Sequence, residues 1–173
     1  NSEESLAVKK DNVMLIKTTA PLSSIRETKS FSSIKNFAVN IMHFRESLSF
    51  NTFLNRKVTI DENGDIKNSF NCSHTFGNIS NNDIKEIVNT VGFQKHWFVH
   101  KGLIDVCKDC EFKHVCVDNR IPKQRTDSTW YHESECDYNP YIAKWANEAG
   151  YKPLKESGFE CNEQGFNVNS EVL

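Results

Sequence analysis

The chain has 173 residues and a mass of 19.9 kDa, which is enough for one domain with a real core and thin for two. Its 21 basic and 23 acidic residues give a net charge of −2, so no strongly basic field exists to hold a nucleic acid or an anionic membrane. No apolar run approaches the roughly 18 residues that span a bilayer, and no signal-peptide segment opens the chain. We therefore expect a cytoplasmic protein with neither nucleic acid nor membrane among its partners.

The beginning of the chain predicts short strands and then a hairpin. Brief apolar runs at 13–16 and 37–42 are typical of strands. In the hairpin, a two-residue loop would set Ile66 opposite Asp61, which mixes apolar and charged residues on one face. A three-residue loop with a left-handed Gly64 sets Ile66 opposite Ile60 instead, and we predict this register.

The next predicted element is a capped helix. Ser80-x-x-Asp83 resembles a capping box, and Gly92 marks the expected end of the helix. Apolar residues follow the box with helical spacing: Ile84, Ile87, Val88 and Val91. Because this spacing places them on one face, we predict one amphipathic helix.

A second, C-terminal helix is predicted over 140–149. Asn139 is the expected N-cap, Pro140 the first helical residue and Gly150 the residue just past the end. The fold class that we predict is α+β: a small antiparallel hairpin or sheet, a capped helix, an irregular cysteine-rich metal-bound lobe and this short C-terminal helix.

The cysteines carry the strongest functional signal. Four of the six lie in 101–138, a segment without periodicity, and we call these four the clustered cysteines: Cys107, Cys110, Cys116 and Cys136. A Cys-x2-Cys pair directs two thiolates to one centre from a tight turn, and four thiolates suit either Zn²⁺ or a [4Fe–4S] cluster. Two disulfides or unligated core cysteines are the alternatives, and the absence of a secretory signal favours the metal.

Other candidate residues are weaker. His114 or His132 could replace a cysteine in a zinc site, but with four cysteines available we expect both to be surface residues or residues just outside the ligand shell. Cys72 and Cys161 are expected to be ordinary thiols. The tryptophans and their aromatic neighbours could line a peptide groove but more often pack a core. The carboxylates, Asp118 among them, show no pair spaced for acid–base chemistry.

The cysteine spacing, together with several short strings, resembles the SPASM domain, the C-terminal auxiliary-cluster domain of radical SAM enzymes. The likeness covers about 37–157 and is strongest to the grasp-with-spasm peptide maturases. The strings are Asn51-x-x-Leu54-Asn55-Arg56-Lys57-Val58-x-Ile60-Asp61, Gly64-x-Ile66-Lys67-Asn68, Phe76-Gly77-Asn78-Ile79, Val106-Cys107-Lys108-Asp109-Cys110-Glu111-Phe112 and Tyr138-Asn139-Pro140-Tyr141. A degenerate, pseudo radical SAM protein is as compatible with the likeness as a part of an active maturase.

This resemblance implies that the clustered cysteines match the ligands of the outer of two [4Fe–4S] clusters in the family. The resemblance does not extend to the ligands of the first cluster. Phe53, Ser69 and Asn119 stand where the family has cysteines, and Cys72 is offset from these positions. It also implies a division into an N-terminal strand and linker (1–36), a SPASM-like domain (37–157) and a polar tail (158–173).

The implied function is an auxiliary [4Fe–4S] module of a system that modifies ribosomally made peptides, with a precursor peptide or a partner maturase as its partner. The chain has no Cys-x3-Cys-x2-Cys triplet, so we do not expect catalysis by these residues alone. The alternative function is a binding scaffold with a structural zinc ion on the same four cysteines.

A helix beginning at Pro140 would point its positive end at an anionic centre, with Lys108 and Lys113 as candidates to add charge.

Overall fold

The computed structural model describes residues 6–10, 13–17, 34 and 37–169. In this part of the chain the regular elements are short, and the strands form five separate two-stranded antiparallel sheets. The helices are α1 (Ile41–Ser47), α2 (Ile84–Val88) and α3 (Val91–Gln94). The strands are β1 (Leu6–Lys10), β2 (Val13–Lys17), β3 (Thr59–Ile60), β4 (Ile66–Lys67), β5 (Lys123–Gln124), β6 (Trp130–Tyr131), β7 (Tyr138–Asn139), β8 (Lys144–Trp145), β9 (Phe159–Asn162) and β10 (Gly165–Val168). The predicted α+β class is confirmed.

The β3–β4 hairpin has the register that the sequence predicts. Ile60 pairs with Ile66, and Gly64 has a φ of +81°, the left-handed conformation that a three-residue loop needs. The Asp61 carboxylate accepts the backbone N–H groups of Asn63 and Asp65, each at 3.0 Å, and so closes the turn. The turn and the apolar pairing thus select the same register.

A small apolar core joins this hairpin to the helices. Ile66, Ile87 and Phe93 are buried against one another, and the half-buried side chains of Phe76, Ile84, Val88 and Trp97 pack around them. Full burial of an aliphatic or aromatic side chain stabilises a fold by about 1.5–3 kcal/mol. This core therefore joins β4 to α2 and α3.

The predicted helix after residue 83 forms, but in two pieces. Its N-cap is Asp83, whose side chain accepts the N–H of Lys85, and α2 ends at Val88. Thr90 then caps α3 by accepting the N–H of Phe93, so Gly92 lies inside a second helix instead of ending the first. The break occurs because Thr90 is a strong N-cap residue in the middle of the apolar pattern.

The run 37–42 was expected to be a strand, and this expectation is wrong. Residues 37–39 have no regular structure, and Asn40 caps α1 by accepting the N–H of His43 at 2.9 Å. An N-cap within the apolar run converts its second half to helix. The other predicted strand is confirmed within β2.

The predicted helix over 140–149 is also wrong. Tyr138 and Trp145 lie opposite each other in the β7–β8 pair, with ring centroids 4.8 Å apart, and Ala143 in the connection has a φ of +50°. Asn139 is buried and donates to the carbonyl of Lys152 at 2.8 Å. These contacts with distant residues outweigh the local helix signals.

The polar tail expected for 158–173 contains a hairpin, because β9 and β10 pair along their length. Phe159 and Phe166 stack with their centroids 6.3 Å apart, and Phe159 also stacks on Tyr141 at 3.7 Å. The aromatic residues therefore attach this segment to the cysteine-rich lobe.

The other domain boundaries remain predictions. Among the described helices, none has the length and apolar character needed to cross a membrane.

Candidate metal centre

The first two clustered cysteines lie on a tight, strained turn. Cys107 begins a 3-10 turn that ends at Asp109, and the N–H of Cys110 donates to the carbonyl of Cys107 at 3.2 Å. Val106, just before the turn, has a φ of +67° and a ψ of −50°. A β-branched residue rarely adopts a positive φ, and strain of this kind is concentrated at functional sites. The turn therefore places Cys107 and Cys110 within one short, tight segment.

All four clustered cysteines lie within electrostatic reach of one another. A negative charge on Cys107 raises the pKa of Cys110 and of Cys116, and a charge on Cys136 acts on the other three. Cys136 reaches this place from the far end of the lobe. The structure thus brings together residues that are up to 29 positions apart in the sequence. Their role as ligands stays a prediction.

Burial gives these thiols an environment suited to metal binding. Burial raises the pKa of Cys110 to about 12 and that of Cys116 to about 12, and it also raises the pKa of Cys107. Without a cation such thiols stay protonated at neutral pH, so they are poor nucleophiles. A metal centre deprotonates its thiol ligands outright, and this removes the cost of the buried charge. The donor set therefore fits a thiolate-bound metal group.

A buried group of charged side chains lies directly beside the cysteines. The Asp118 carboxylate, with no exposed surface, accepts Lys101 Nζ at 2.5 Å and Arg120 Nη2 at 2.6 Å. Burial alone would raise the pKa of Asp118, but these two cations hold it well below its usual range. Burial and the same cations hold the pKa of His132 well below its usual range, so its imidazole is neutral. The group therefore carries one positive charge more than it has negative charges.

That excess charge faces the thiols. Arg120 Nη2 lies 4.0 Å from the Cys107 sulfur. Burial lowers the pKa of Lys101, but the charge of Asp118 and, after it, charges on Cys107 and Cys116 raise this pKa above its usual value. Two cations that face the thiols and share one carboxylate favour a centre with a net negative charge. Four thiolates give such a charge with Zn²⁺ and also with a [4Fe–4S] cluster. The residues present thus fit an anionic metal group.

The spacing of the ligand atoms bears on these two possibilities. Among the described residues, one group of three or more Cys, His, Asp and Glu side chains has all its ligand atoms within 4.8 Å of one another: Cys107, Asp118 and His132. The clustered cysteines do not meet this limit. Zn–S bonds of about 2.3 Å in a tetrahedron put the sulfurs about 3.8 Å apart, whereas a cubane binds each thiolate to a different iron and spreads them further.

The compact group of Cys107, Asp118 and His132 is itself a poor cation site. Its carboxylate is already paired with Lys101 and Arg120. A divalent ion there would meet both of these buried cations, and like charges at such distances repel strongly. The group is better explained as the positive wall of the cysteine site.

The positive charge comes from different residues than the sequence predicted. The helix expected at Pro140 is absent, so no helix N-terminus points at the cysteines from there. Lys108 pairs with Asp105 at 2.7 Å, and Lys113 donates to the carbonyl of Lys108. Sequence reasoning missed Lys101 and Arg120. The spacing Asp118-x-Arg120 directly after Cys116 was a signal, but Lys101 lies 17 residues from its partner.

The two candidate histidines have different environments. His114 lies beside α1, where its Nδ1 is 3.0 Å from the Ser47 hydroxyl and its ring meets Phe44 edge to face. His132 lies in the buried charged group, 3.6 Å from Asp118 and 3.3 Å from Lys101. His132 thus lies close to Cys107, whereas His114 contacts α1, and that neither histidine binds the metal stays a prediction.

The remaining cysteines also differ from each other. Cys72 is buried in the loop after β4, and Phe53, Ser69 and Asn119 supply no thiol at the positions implied for a first cluster. Cys161 accepts a hydrogen bond from Arg125 at 3.5 Å. It also lines a small cavity of about 30 Å³ with Cys107 and Cys136, so it is much closer to the clustered cysteines than the sequence suggested.

Comparison with known families gives one match. A family model described as SPASM, an iron-sulfur cluster-binding domain, matches residues 52–111, about a third of the chain. No curated protein and no solved structure matches the chain. The matched segment begins just before β3 and ends just after Cys110, so it contains the hairpin, the small core and the strained cysteine turn. Over this segment the chain is similar to an iron–sulfur cluster-binding domain.

Proposed function

We propose that the chain is an auxiliary iron–sulfur module that binds one [4Fe–4S] cluster through the four clustered cysteines. The observation that carries this proposal is the position of the partly buried clustered cysteines beside the excess positive charge of Lys101 and Arg120. Cys107 and Cys110 also lie at the end of the segment that is similar to a cluster-binding domain. No three of the clustered cysteines have their sulfurs within 4.8 Å of one another, and this favours a cluster over a single zinc ion. A cluster bound there would cross-link the lobe and carry one electron at a time.

The residues around the cysteines have distinct tasks in this proposal. Lys101 and Arg120 balance the charge of the thiolates, and Asp118 fixes the position of both cations. The Arg120 guanidinium also donates to the carbonyl of Ser134 at 2.7 Å, two residues before Cys136. One arginine thereby connects the distant fourth cysteine to the cysteine turn.

The proposed setting is a cytoplasmic radical SAM system that modifies ribosomally made peptides. Similarity of residues 52–111 to SPASM supports this setting, since such domains accompany peptide-modifying radical SAM enzymes. The partners would be a precursor peptide, a partner maturase or both. The module would hold its cluster near the reaction without starting it.

We do not propose that this chain cleaves S-adenosylmethionine. That reaction needs an iron left open by three cysteines, whereas four thiolates leave no iron free. We expect the reduced, reconstituted chain to form no 5′-deoxyadenosine above a control without cluster. Turnover of S-adenosylmethionine by this chain alone would overturn the proposed role.

The decisive experiment is metal analysis after strictly anaerobic purification and reconstitution. We expect about four irons and four labile sulfides per chain, the content of one [4Fe–4S] cluster. Stoichiometric zinc without sulfide would establish the zinc scaffold instead. About eight irons would mean that Cys72 and Cys161 recruit a second cluster. Cys72→Ser serves as the matched control for Cys110→Ser, because we expect only the second variant to lose iron.

A further inference from the structure

A large cleft opens next to the cysteine site. Its volume is about 680 Å³, within the range of about 300–1,000 Å³ that is usual for small-molecule and cofactor sites. One wall comes from the loop after β4, with Asn71 and Phe76, and another from Lys95 and His96 after α3. Arg120 and its neighbours complete the cleft. No step of the proposed function uses this space.

The charge of the cleft is opposite to that of the whole chain. Three cations line it, Lys95, Arg120 and Lys123, against one carboxylate, Glu133. Lys123 pairs with Glu133 at 2.6 Å in an exposed position. With this pair cancelled, Lys95 remains as a full positive charge, and Arg120 adds only part of one because Asp118 pairs with both Arg120 and Lys101, in a chain whose net charge is −2. A local reversal of this kind attracts anions.

Lys95 is placed to receive an anionic group. Its Nζ lies 5.4 Å from the centre of the Trp130 ring, and no ion pair in the described part of the chain includes it. His96 lies against the same ring at 5.8 Å, edge to face. Burial and the charge of Lys95 lower the pKa of His96, so a neutral imidazole that can donate one N–H stands beside the ammonium group.

Arg120 belongs to two sites at once. It lines the large cleft, and it also lines the small cavity that holds Cys107, Cys136 and Cys161. Glu133 and Ser134 are shared in the same way, so this short stretch is the wall between the two spaces. A charge bound in the cleft would therefore act on the guanidinium that lies 4.0 Å from the Cys107 sulfur.

We propose that this cleft binds a carboxylate-bearing ligand between Lys95 and Arg120, and that Arg120 transmits its binding to the cysteine site. The second statement rests on the proposed cluster, whereas the first does not. A carboxylate fits better than a phosphate, because Gly92 is the one glycine among the described lining residues and no glycine-rich loop offers backbone N–H groups. The carboxylate comes from a free acid or from an acidic side chain of a peptide.

Binding is tested first on the chain as purified anaerobically, once circular dichroism shows that it is folded, by calorimetry and by tryptophan fluorescence. The probes are glutarate as a free acid and N-acetylglutamate amide as a peptide-type side chain, with N-acetylglutamine amide as the neutral analogue and inorganic phosphate as the competing anion. We expect one or both acids to bind and the neutral analogue to bind at least about tenfold more weakly, since a charge-assisted hydrogen bond is lost. Which acid binds identifies the source.

Lys95→Gln should weaken binding of the acid by about fivefold to tenfold, because one of the two cations is removed. Lys85→Gln is the matched control: Lys85 is an exposed lysine on α2 that does not line the cleft, and its loss should change nothing. Equal binding of acid and amide, tighter binding of phosphate, unchanged affinity in Lys95→Gln, or no binding at millimolar concentration would each overturn the proposal.

The coupling is tested on the reconstituted chain by redox titration followed by electron paramagnetic resonance. A bound carboxylate adds negative charge near the cluster, so we expect the midpoint potential to fall on saturation with the acid. In Lys95→Gln the same fall should need more acid. Binding without any change in potential would refute the coupling alone. Failure to incorporate iron would refute the proposed cluster, while the binding result on the folded chain as purified would still stand.

Discussion

The two main regions of the molecule differ in the charge that they bury. The hairpin region, residues 51–100, has an apolar core of Ile66, Ile87 and Phe93, and its one buried charged residue is Asp61. The cysteine region, residues 101–157, buries three charged residues, Lys101, Asp118 and Arg125. Apolar packing stabilises a fold directly, whereas buried ion pairs often do little more than offset their own desolvation. The cysteine region therefore depends on something further, and in our proposal that is the metal centre.

Removal of one of the clustered thiols should have the largest effect on stability and so tests this contrast most directly. Cys110→Ala should strip most of the iron and lower the melting temperature of the anaerobic protein strongly, because binding energy at such a site is also folding energy. Cys72→Ala, a buried cysteine of the hairpin region, should keep the iron. Iron content and thermal unfolding by circular dichroism measure both. An unchanged melting temperature and metal content in Cys110→Ala would show that the cysteine region does not depend on a metal centre for its stability.

Breaking the buried charged group should have the next largest effect. Asp118→Asn leaves Lys101 and Arg120 buried without their carboxylate, and an uncompensated buried charge of this kind costs about 3–5 kcal/mol of unfolding free energy. The control is Glu133→Gln, which breaks the exposed pair with Lys123 and should cost less than about 1 kcal/mol. Anaerobic urea unfolding compares the variants. Equal losses in the two would mean that the buried group does not stabilise the cysteine region.

The same contrast explains how much of the fold the sequence could predict. The β3–β4 register was readable because Ile60, Gly64 and Ile66 specify it within seven residues. The segment after Pro140 was misread because the contacts that hold it as a hairpin come from Phe112, Lys152 and other distant positions. Local patterns are informative where local contacts decide the structure and fail where distant ones do.

The candidate site divides in the same way. Cys107, Cys110 and Cys116 could be grouped from their spacing alone, since one turn and the chain just after it carry them. Lys101 could not be assigned, because a lone lysine in a sequence looks like a solvated one until the fold brings Asp118 to it. Buried ion pairs between residues far apart in sequence leave no periodic signature.

A conservative change in the apolar core should have a smaller effect, confined to the hairpin region. Ile66→Val removes one methylene from a side chain with no exposed surface, which costs about 0.5–1.5 kcal/mol of unfolding free energy. Iron content should stay the same, because Ile66 lies outside the cysteine region. Urea unfolding and iron analysis on one preparation give both values. Loss of iron in Ile66→Val would show that the two regions are not separate in their stabilisation.

The smallest effect concerns a titration in the hairpin turn. The Asp61 carboxylate, 2% exposed, accepts Lys67 Nζ at 2.8 Å, and this hydrogen bond lowers the pKa of Asp61 against the opposing effect of burial. A carboxyl group with a lowered pKa in the folded state stabilises the fold above its unfolded value of about 3.9, and the contribution is lost as the pH falls through the folded value. In Lys67→Met the hydrogen bond is gone, so the pKa of Asp61 should rise and this acid-sensitive contribution should shrink. Carbon-detected NMR titration of the Asp61 carboxyl measures the change, with Lys85→Met as the control. An identical Asp61 pKa in Lys67→Met and the unmodified chain would show that the backbone N–H groups of the turn, and not Lys67, hold this carboxylate.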